Sequence, residues 1–417
     1  MSDSILANSQ AVQTSMRPKT AGAFDRPQRI TVLGSTGSVG VNTLEVMAAH
    51  PDRFEVFALS AATQVDLMLA QCVRFKPKFA VMVSEPHARQ LADKLKNIGL
   101  NVGVLHASLA LEMIASHESV DAVMAAIVGA AGLPACMAAA SAGKRLLLAN
   151  KEALVVGGEV FMQAVADGGA QLLPIDSEHS AIFQSLPEDP ATWSSRVEKI
   201  ILTASGGPFR SRDLTTLHSV TPEEACAHPN WVMGRKISVD SASMMNKALE
   251  VIEAKYLFGL KPEQIEVVIH PQSIIHSMVQ YFDTSVVAQL GSPDMRVPIA
   301  CGLAWPGRMA SGAQALDFSR MANMTFEVPD HARFPCLKLA WEVLSAPLGT
   351  AAVMNAANEV AVAAFLDNRI RFDQIHAVNR RTLDKLGVSD IHTMDDLLAL
   401  DVQARSVSNA VVQQLGV

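Results

Sequence analysis

Two acids stand two residues apart in the segment Ile175-Asp176-Ser177-Glu178-His179. In an extended chain, side chains at i and i+2 share a face, so Asp176 and Glu178 would aim at one point. Paired carboxylate oxygens suit Mg²⁺ or Mn²⁺, although two solvated acids in a loop have the same signature. A third acid, Glu250, lies in the run SASMMNKALEVIEAKYLF, where Met245, Ala248, Leu249, Ile252 and Tyr256 repeat at helical spacing. The pattern predicts one helix over 242–258. Asn246, Lys247 and Glu250 fall at i, i+1 and i+4 on another of its faces, which suits a site as well as it suits a plain Lys–Glu helix pair. Ser241, just ahead, reads as an N-cap or as a hydroxyl helping a helix N-terminus hold an anion.

Three loops carry further chemistry. Gly34-Ser35-Thr36-Gly37-Ser38-Val39-Gly40 follows a strand-like run and precedes a helical one starting near Val41. Its glycines permit a tight turn and close backbone approach to a pyrophosphate resting on the helix N-terminus. About 20 residues further on, where an NAD site carries an acid, the chain reads Leu59-Ser60-Ala61-Ala62-Thr63-Gln64. Without a carboxylate to repel a 2′-phosphate, NADP is permitted, and Ala62, Thr63 and Gln64 provide only small hydroxyl and amide groups to meet it. Thr203-Ala204-Ser205-Gly206-Gly207-Pro208-Phe209 is a plausible phosphate cradle. His228-Pro229-Asn230-Trp231-Val232-Met233-Gly234 places a Trp in a Pro and Gly loop, as a substrate-covering lid would. His228 alone reads sooner as a core histidine than as a site residue, and Cys226 beside it lacks the second Cys or His pair of a zinc site.

The runs RITVLG, FEVFAL, KFAVMV, DAVMAAI, RLLLAN and QLLPI, which must position these residues, alternate with helix-like segments. Apolar on both faces, they predict a parallel sheet covered by helices on both sides, a doubly wound Rossmann-like domain over 28–176. An α+β region over 177–304 includes the strand-like IEVVIH and SVVAQL, a Pro- and Gly-containing connector spans 305–329, and a helical bundle fills 330–417. In that bundle Leu397, Leu400, Ala404, Val407, Val411 and Leu415 share a face. Residues 1–27 read as a polar, disordered tail, without the apolar stretch of a secretory signal. A chain of 417 residues, 49% hydrophobic and 18% charged, fits two or three compact domains. The net charge of −7, without a basic run, argues against nucleic acid. Five scattered cysteines suit buried thiols in a reducing cytoplasm. The uncharged stretch 122–140 is long enough to imitate a membrane span, but Gly129, Gly132 and Pro134 interrupt it, which predicts a strand, a turn and a helix instead.

Taken together, GSTGSVG, ANKEALV, PIDSEHSAIFQ, ASGGPFR, HPNWVMGRKISVDSASMMNKALEVIEA, HPQSIIHSMV, SPDMRVPIA and NAANEVAVAAFL resemble the 1-deoxy-D-xylulose 5-phosphate reductoisomerases, from about Ile30 to the C-terminal helices. The resemblance implies an NADPH-dependent enzyme of isoprenoid synthesis that rearranges and reduces a small sugar phosphate with Mg²⁺ or Mn²⁺, working as a homodimer. It implies Asp176, Glu178 and Glu250 as metal ligands. Ser205, Ser241, Asn246 and Lys247 would grip the phosphate with His228 beside them; Lys151, Ser177 and Glu178 would meet the reacting end under a Trp231 lid. Thr36, Gly37, Ser38 and Val39 would hold the pyrophosphate, with Asn150, Glu152 and Gly234 also near NADPH. Some relatives carry a basic residue where this chain has Ala62-Thr63-Gln64. A metal-independent dehydrogenase of the homoserine or semialdehyde kind is the rival enzyme reading, and a redox-sensing NADP-binding protein the non-enzymatic one.

Overall fold

The computed structural model describes residues 26–231, 233–320, 323–388 and 391–416. The tail expected over 1–27 lies almost wholly outside the described residues.

The six predicted strands form the first sheet as β1 (Gln28–Leu33), β2 (Phe54–Ala61), β3 (Phe79–Met82), β5 (Ala122–Ala125), β6 (Arg145–Leu148) and β7 (Gln171–Pro174). A seventh, β4 (Gly103–His106), completes the order β4-β3-β2-β1-β5-β6-β7, with every pair parallel. Sequence pattern missed β4 because it is an edge strand of four residues, beginning with glycine and never fully buried, so it lacks the apolar run of an interior strand. Strand order reverses at β1, which pairs with both β2 and β5; ligands of open α/β sheets bind outside the strand ends at such a reversal. The glycine turn lies there. Its helix, Ser38–Ala48, starts three residues before the expected Val41.

A second sheet, in the order β11-β10-β8-β9, stacks β8 (Val197–Ala204), β9 (Ile265–Ile269), β10 (Ile275–Tyr281) and β11 (Val286–Leu290). The predicted runs IEVVIH and SVVAQL are β9 and β11. The helix expected over 242–258 starts three residues later, as Met245–Phe258, and a separate helix, Arg235–Ala242, precedes it, the two parted by Met244 in a left-handed conformation at φ 59°. Ser241 therefore ends one helix instead of capping the next. Serine side chains compete for nearby backbone groups, and the Ser243 hydroxyl accepts from the Met245 N–H at 3.4 Å just past the break.

The C-terminal part packs helices Pro335–Leu344, Thr350–Leu366, Gln374–Lys385 and Met394–Leu415. In the last, Leu397, Leu400, Ala404 and Val411 are buried as the spacing predicts, but Val407 and Leu415 are only half-buried. Ser408 is buried instead, donating to the Ala404 carbonyl at 2.7 Å. One apolar cluster runs from Ile30 to Ala404 through both sheets and three of these helices, so the parts share a core, while Ile375 and Val378 of Gln374–Lys385 join a second cluster. The stretch 122–140 resolves into β5, a tight turn and the helix Leu133–Ser141. Among the described residues no helix is long and apolar enough to cross a membrane.

Candidate active site

Asp176 is the N-cap of the helix Ser177–Ser185, accepting from the Glu178 N–H, and Glu178 sits in the first turn. The extended geometry assumed for this pair is thus wrong. Both carboxylates nonetheless converge, because a helix start brings the cap side chain back over its own first turn. Glu250, fully buried on the helix Met245–Phe258, joins them: one oxygen from each of the three lies within 4.8 Å of the others.

Two ammonium groups thread this cluster. Lys151 Nζ lies 2.6 Å from Asp176 Oδ2 and 3.0 Å from Glu250 Oε1, and donates to Asn246 Oδ1 at 2.9 Å. Lys247 reaches Glu178 Oε1 at 2.8 Å and also touches Glu250 Oε2. Burial would pull the Lys151 pKa down, but Asp176, Glu250, Glu253 and Glu178 together hold it well above its ordinary value. Asp176 is likewise buried, which would raise it, yet Lys151 and His179 hold it well below the carboxylate range. For Glu250, burial and then Glu178 push the carboxyl up against the pull of the two lysines. Behind Asp176, His179 Nε2 meets the Glu250 carbonyl at 2.9 Å and Nδ1 lies 3.1 Å from Glu253 Oε2. A carbonyl only accepts, so Nε2 donates, and Nδ1 faces Glu253 and, at 3.5 Å, Asp176 Oδ1. Asp176, His179 and Glu253 also lie within ligating distance of one another. His179 and Glu253 are wholly buried and do not line the cleft, whereas all three acids of the first set do.

That cleft, of about 390 Å³, is bounded by Ser38, Val39, Lys151, Ser177, Ser205, His228, Trp231, Gly234, Ser241, Asn246 and Lys247 as well as the three acids. Strand β8 ends at Ala204 and delivers Ser205 into the turn made by Gly206 and Gly207, both at positive φ. A Cβ on Gly207 would lie 2.8 Å from the Ser241 carbonyl, so only glycine lets this turn approach the Arg235–Ala242 helix. His228 Nδ1 accepts the backbone N–H groups of Asn230 and Trp231 at 3.2 and 3.0 Å. Its Nε2 must then carry the hydrogen and donate to Ser205 Oγ at 2.9 Å, where Gly207 N also donates at 3.1 Å. With both acceptor positions filled, the Ser205 hydroxyl hydrogen is left to point at a ligand. Burial lowers the His228 pKa, opposed by Glu178, which favours this neutral form. Asn246 and Lys247 hydrogen-bond to carboxylates and not to the Ser205 turn, though both face the same cleft.

At the other end, Gly37 caps the helix Ser38–Ala48 without any side-chain hydrogen bond, leaving its first N–H groups available to an anion. A Cβ on Gly40 would fall 2.3 Å from the Gly34 carbonyl. Ser60, where an NAD site would carry its acid, turns inward and accepts the Gly34 N–H at 2.9 Å. Ala62, Thr63 and Gln64 are exposed beyond it. Thr36 and Gly37 form the turn itself, while Asn150 and Glu152 do not line the cleft. Asn150 caps the Lys151–Gly168 helix at Ala153 N, and Glu152 pairs with Lys236.

Three family descriptions match this chain: 1-deoxy-D-xylulose 5-phosphate reductoisomerase over residues 30–158, its C-terminal domain over 172–258, and the DXP reductoisomerase C-terminal domain over 290–407. The chain belongs to the 1-deoxy-D-xylulose 5-phosphate reductoisomerase family. Reductoisomerases of that name from Aromatoleum aromaticum and Cupriavidus metallidurans are 56% and 57% identical to it, each over 93% of the chain and 96% and 98% of their own lengths. A solved DOX-P reductoisomerase in complex with NADPH, fosmidomycin and magnesium superposes with a TM-score of 0.89 at 42% identity, covering 93% of this chain and 99% of that one. The Zymomonas mobilis enzyme in complex with NADPH gives 0.86 at 45% identity over the same shares.

The residues present fit both groups named in those complexes. Three carboxylates opening on one cleft form the oxygen-only donor set that Mg²⁺ and Mn²⁺ take, and the uncapped helix behind the glycine turn suits a pyrophosphate. Sequence reading passed over several lining residues, including Asn42, Asn230, Ser273, His276 and Asp294. Asn230 Nδ2 donates to the Pro271 carbonyl and to Ser273 Oγ at 2.8 and 3.0 Å, tying the Trp231 loop to the β9–β10 connection. Asn230, Ser273, His276 and Asp294 signalled themselves only by lying inside the HPNW, HPQSIIH and SPDMRVPIA motifs, and Asn42 by following the glycine turn.

Proposed function

We infer that this chain converts 1-deoxy-D-xylulose 5-phosphate to 2-C-methyl-D-erythritol 4-phosphate, with NADPH as reductant and a divalent ion on Asp176, Glu178 and Glu250. The observation that carries this reading is that the three carboxylates, the Ser205–Gly207 turn and the N-terminus of the glycine-turn helix open into one cleft. In the proposed division, residues 28–176 serve the cofactor, 177–304 the metal and substrate, and 330–417 the helical support, joined by 305–329. When bound, the ion supplies Lewis acidity to the substrate's ketone and neighbouring hydroxyl, and NADPH supplies the hydride.

The chain's own groups then have distinct tasks. Lys151, whose Nζ lies 2.6 Å from Asp176 and 3.0 Å from Glu250, is placed to move a proton or to steady developing oxygen charge. Ser177 and Glu178, at the start of their helix, face the reacting end. The Ser205 hydroxyl, turned outward by His228 and Gly207, donates to the phosphate, with Ser241, Asn246 and Lys247 across the cleft. Holding that remote phosphate supplies orientation, so its loss lowers turnover as well as affinity. Trp231, whose ring centre lies 6.2 Å from that of His276, covers the substrate. Asn150 and Glu152 act near NADPH through the helix they begin, and Gly234 from the base of the lid.

Pairing of two copies belongs to the same reading: β11 is an edge strand with Val286 and Val287 exposed, a surface a second copy would cover. A cytoplasmic setting is supported by cysteines that are all free and mostly buried. The deciding experiment follows NADPH absorbance with 1-deoxy-D-xylulose 5-phosphate and Mn²⁺. Oxidation should require all three and stop in chelator, and kcat/KM should be higher with NADPH than with NADH, since no acid stands near Ser60. Full activity in chelator would favour the metal-independent dehydrogenase.

A further inference from the structure

Glu359 lies outside the cleft, on the helix Thr350–Leu366 of the C-terminal part, yet it grips a loop of the first domain. That loop, residues 126–129, leaves β5 beside the glycine turn at the point where strand order reverses. The two are in contact, since a Cβ on Gly34 would strike the Ala126 carbonyl at 2.5 Å. The loop ends at Gly129, at φ +79°, where a Cβ would lie 2.8 Å from Glu359 Oε1. Glu359 Oε1 accepts the Ala130 N–H across 229 positions of sequence at 3.0 Å, and Asn355 Nδ2 at 3.0 Å. Its other oxygen accepts from Arg405 at 2.6 Å, and Asp401 holds that guanidinium from the far side at 2.6 and 3.0 Å. From the opposite side Asn150 Nδ2 donates to the Gly129 carbonyl at 3.0 Å, while its Oδ1 caps the helix that begins with Lys151.

We propose that Glu359, fixed by Arg405, is a positioning residue for NADPH: it holds loop 126–129 in the shape that lets the dinucleotide cross from the glycine turn towards Lys151. Charge-assisted hydrogen bonds to a backbone N–H and to a guanidinium fork are the strong kind, and their source is a packed helix. Without them a loop ending in glycine must be ordered by the cofactor itself, which lowers affinity. The role rests on the NADPH reading above.

The test titrates NADPH by fluorescence against wild type, Glu359→Ala, Glu359→Gln and Arg405→Gln. Glu359→Ala should weaken the Kd for NADPH roughly tenfold, or about 1.4 kcal/mol. The KM for NADPH should rise in parallel, while the KM for the sugar phosphate at saturating NADPH stays within about twofold. Glu359→Gln keeps an acceptor for Ala130 and should recover most of the affinity. An unchanged Kd in folded Glu359→Ala, even with a lowered Tm, would overturn the proposal, as would equal losses for both ligands. If Glu359→Ala does not fold, Arg405→Gln, at a half-buried side chain, is read the same way: a Kd weakened about threefold supports the role, and an unchanged one overturns it. Wild type that fails to bind NADPH would sink the cofactor reading itself, a result distinct from either.

Discussion

Glu250 shows how one side chain's environment sets its task. It is completely buried, yet Lys151, Asn246 and Lys247 all contact its carboxylate. Carboxylates removed from water in this way persist only when paired or ligating. Glu250→Gln keeps the shape, removes the charge of the proposed ligand and leaves two buried ammonium groups short of a partner. Turnover with Mn²⁺ should fall by at least ~10²-fold, if a lost ligand costs about 2.7 kcal/mol of transition-state stabilisation, and Mn²⁺ binding followed by calorimetry should weaken alongside. Near-normal steady-state rates would take Glu250 out of the site. From the residues alone, Asn246, Lys247 and Glu250 were legible as a cluster on one helix face. Their interlocking with Lys151, which no spacing connects to them, was not.

Among the elements, the glycine-turn helix and the two-helix break at Met244 position the most chemistry. The turn was readable because its requirement is local: a Cβ at position 40 would meet the Gly34 carbonyl at 2.3 Å, so only glycine allows the chain to fold back at this point. Gly40→Ala should therefore force the turn open and weaken NADPH binding at least ~10-fold, an effect of about 1.4 kcal/mol or more, as measured by fluorescence titration. Unaltered affinity would mean that the turn does not hold the pyrophosphate. The break at Met244 was not readable, because the apolar period begins only at Met245 and nothing local forbids extending that helix back to 242. Asp176 and Glu178 show the opposite error. Their spacing was read as extended, whereas the chain turns into a helix at Asp176, whose side chain supplies the cap.

Across the whole molecule, cofactor and metal sites draw on parts that share one core, so occupancy should stabilise all of it. A ligand at 100 times its Kd adds about 2.7 kcal/mol to the folded state. NADPH and Mn²⁺ should each raise Tm in a thermal scan, chelator should remove only the Mn²⁺ share, and no shift with either would count against both sites. The sequence by itself determined the local chemistry: a glycine turn after the first strand, alternating strands and helices, acids and hydroxyls in motifs, and the absence of an acid near Ser60. Those features follow from backbone periodicity and from conformations that few residues can adopt, and both are written within a few neighbouring positions. Tertiary structure alone decided that Lys247 meets Glu178 across 69 positions, that His228 turns Ser205 outward, and that Glu359 reaches Ala130 across 229. Such contacts depend on how helices pack across two sheets, a geometry set by the shared core.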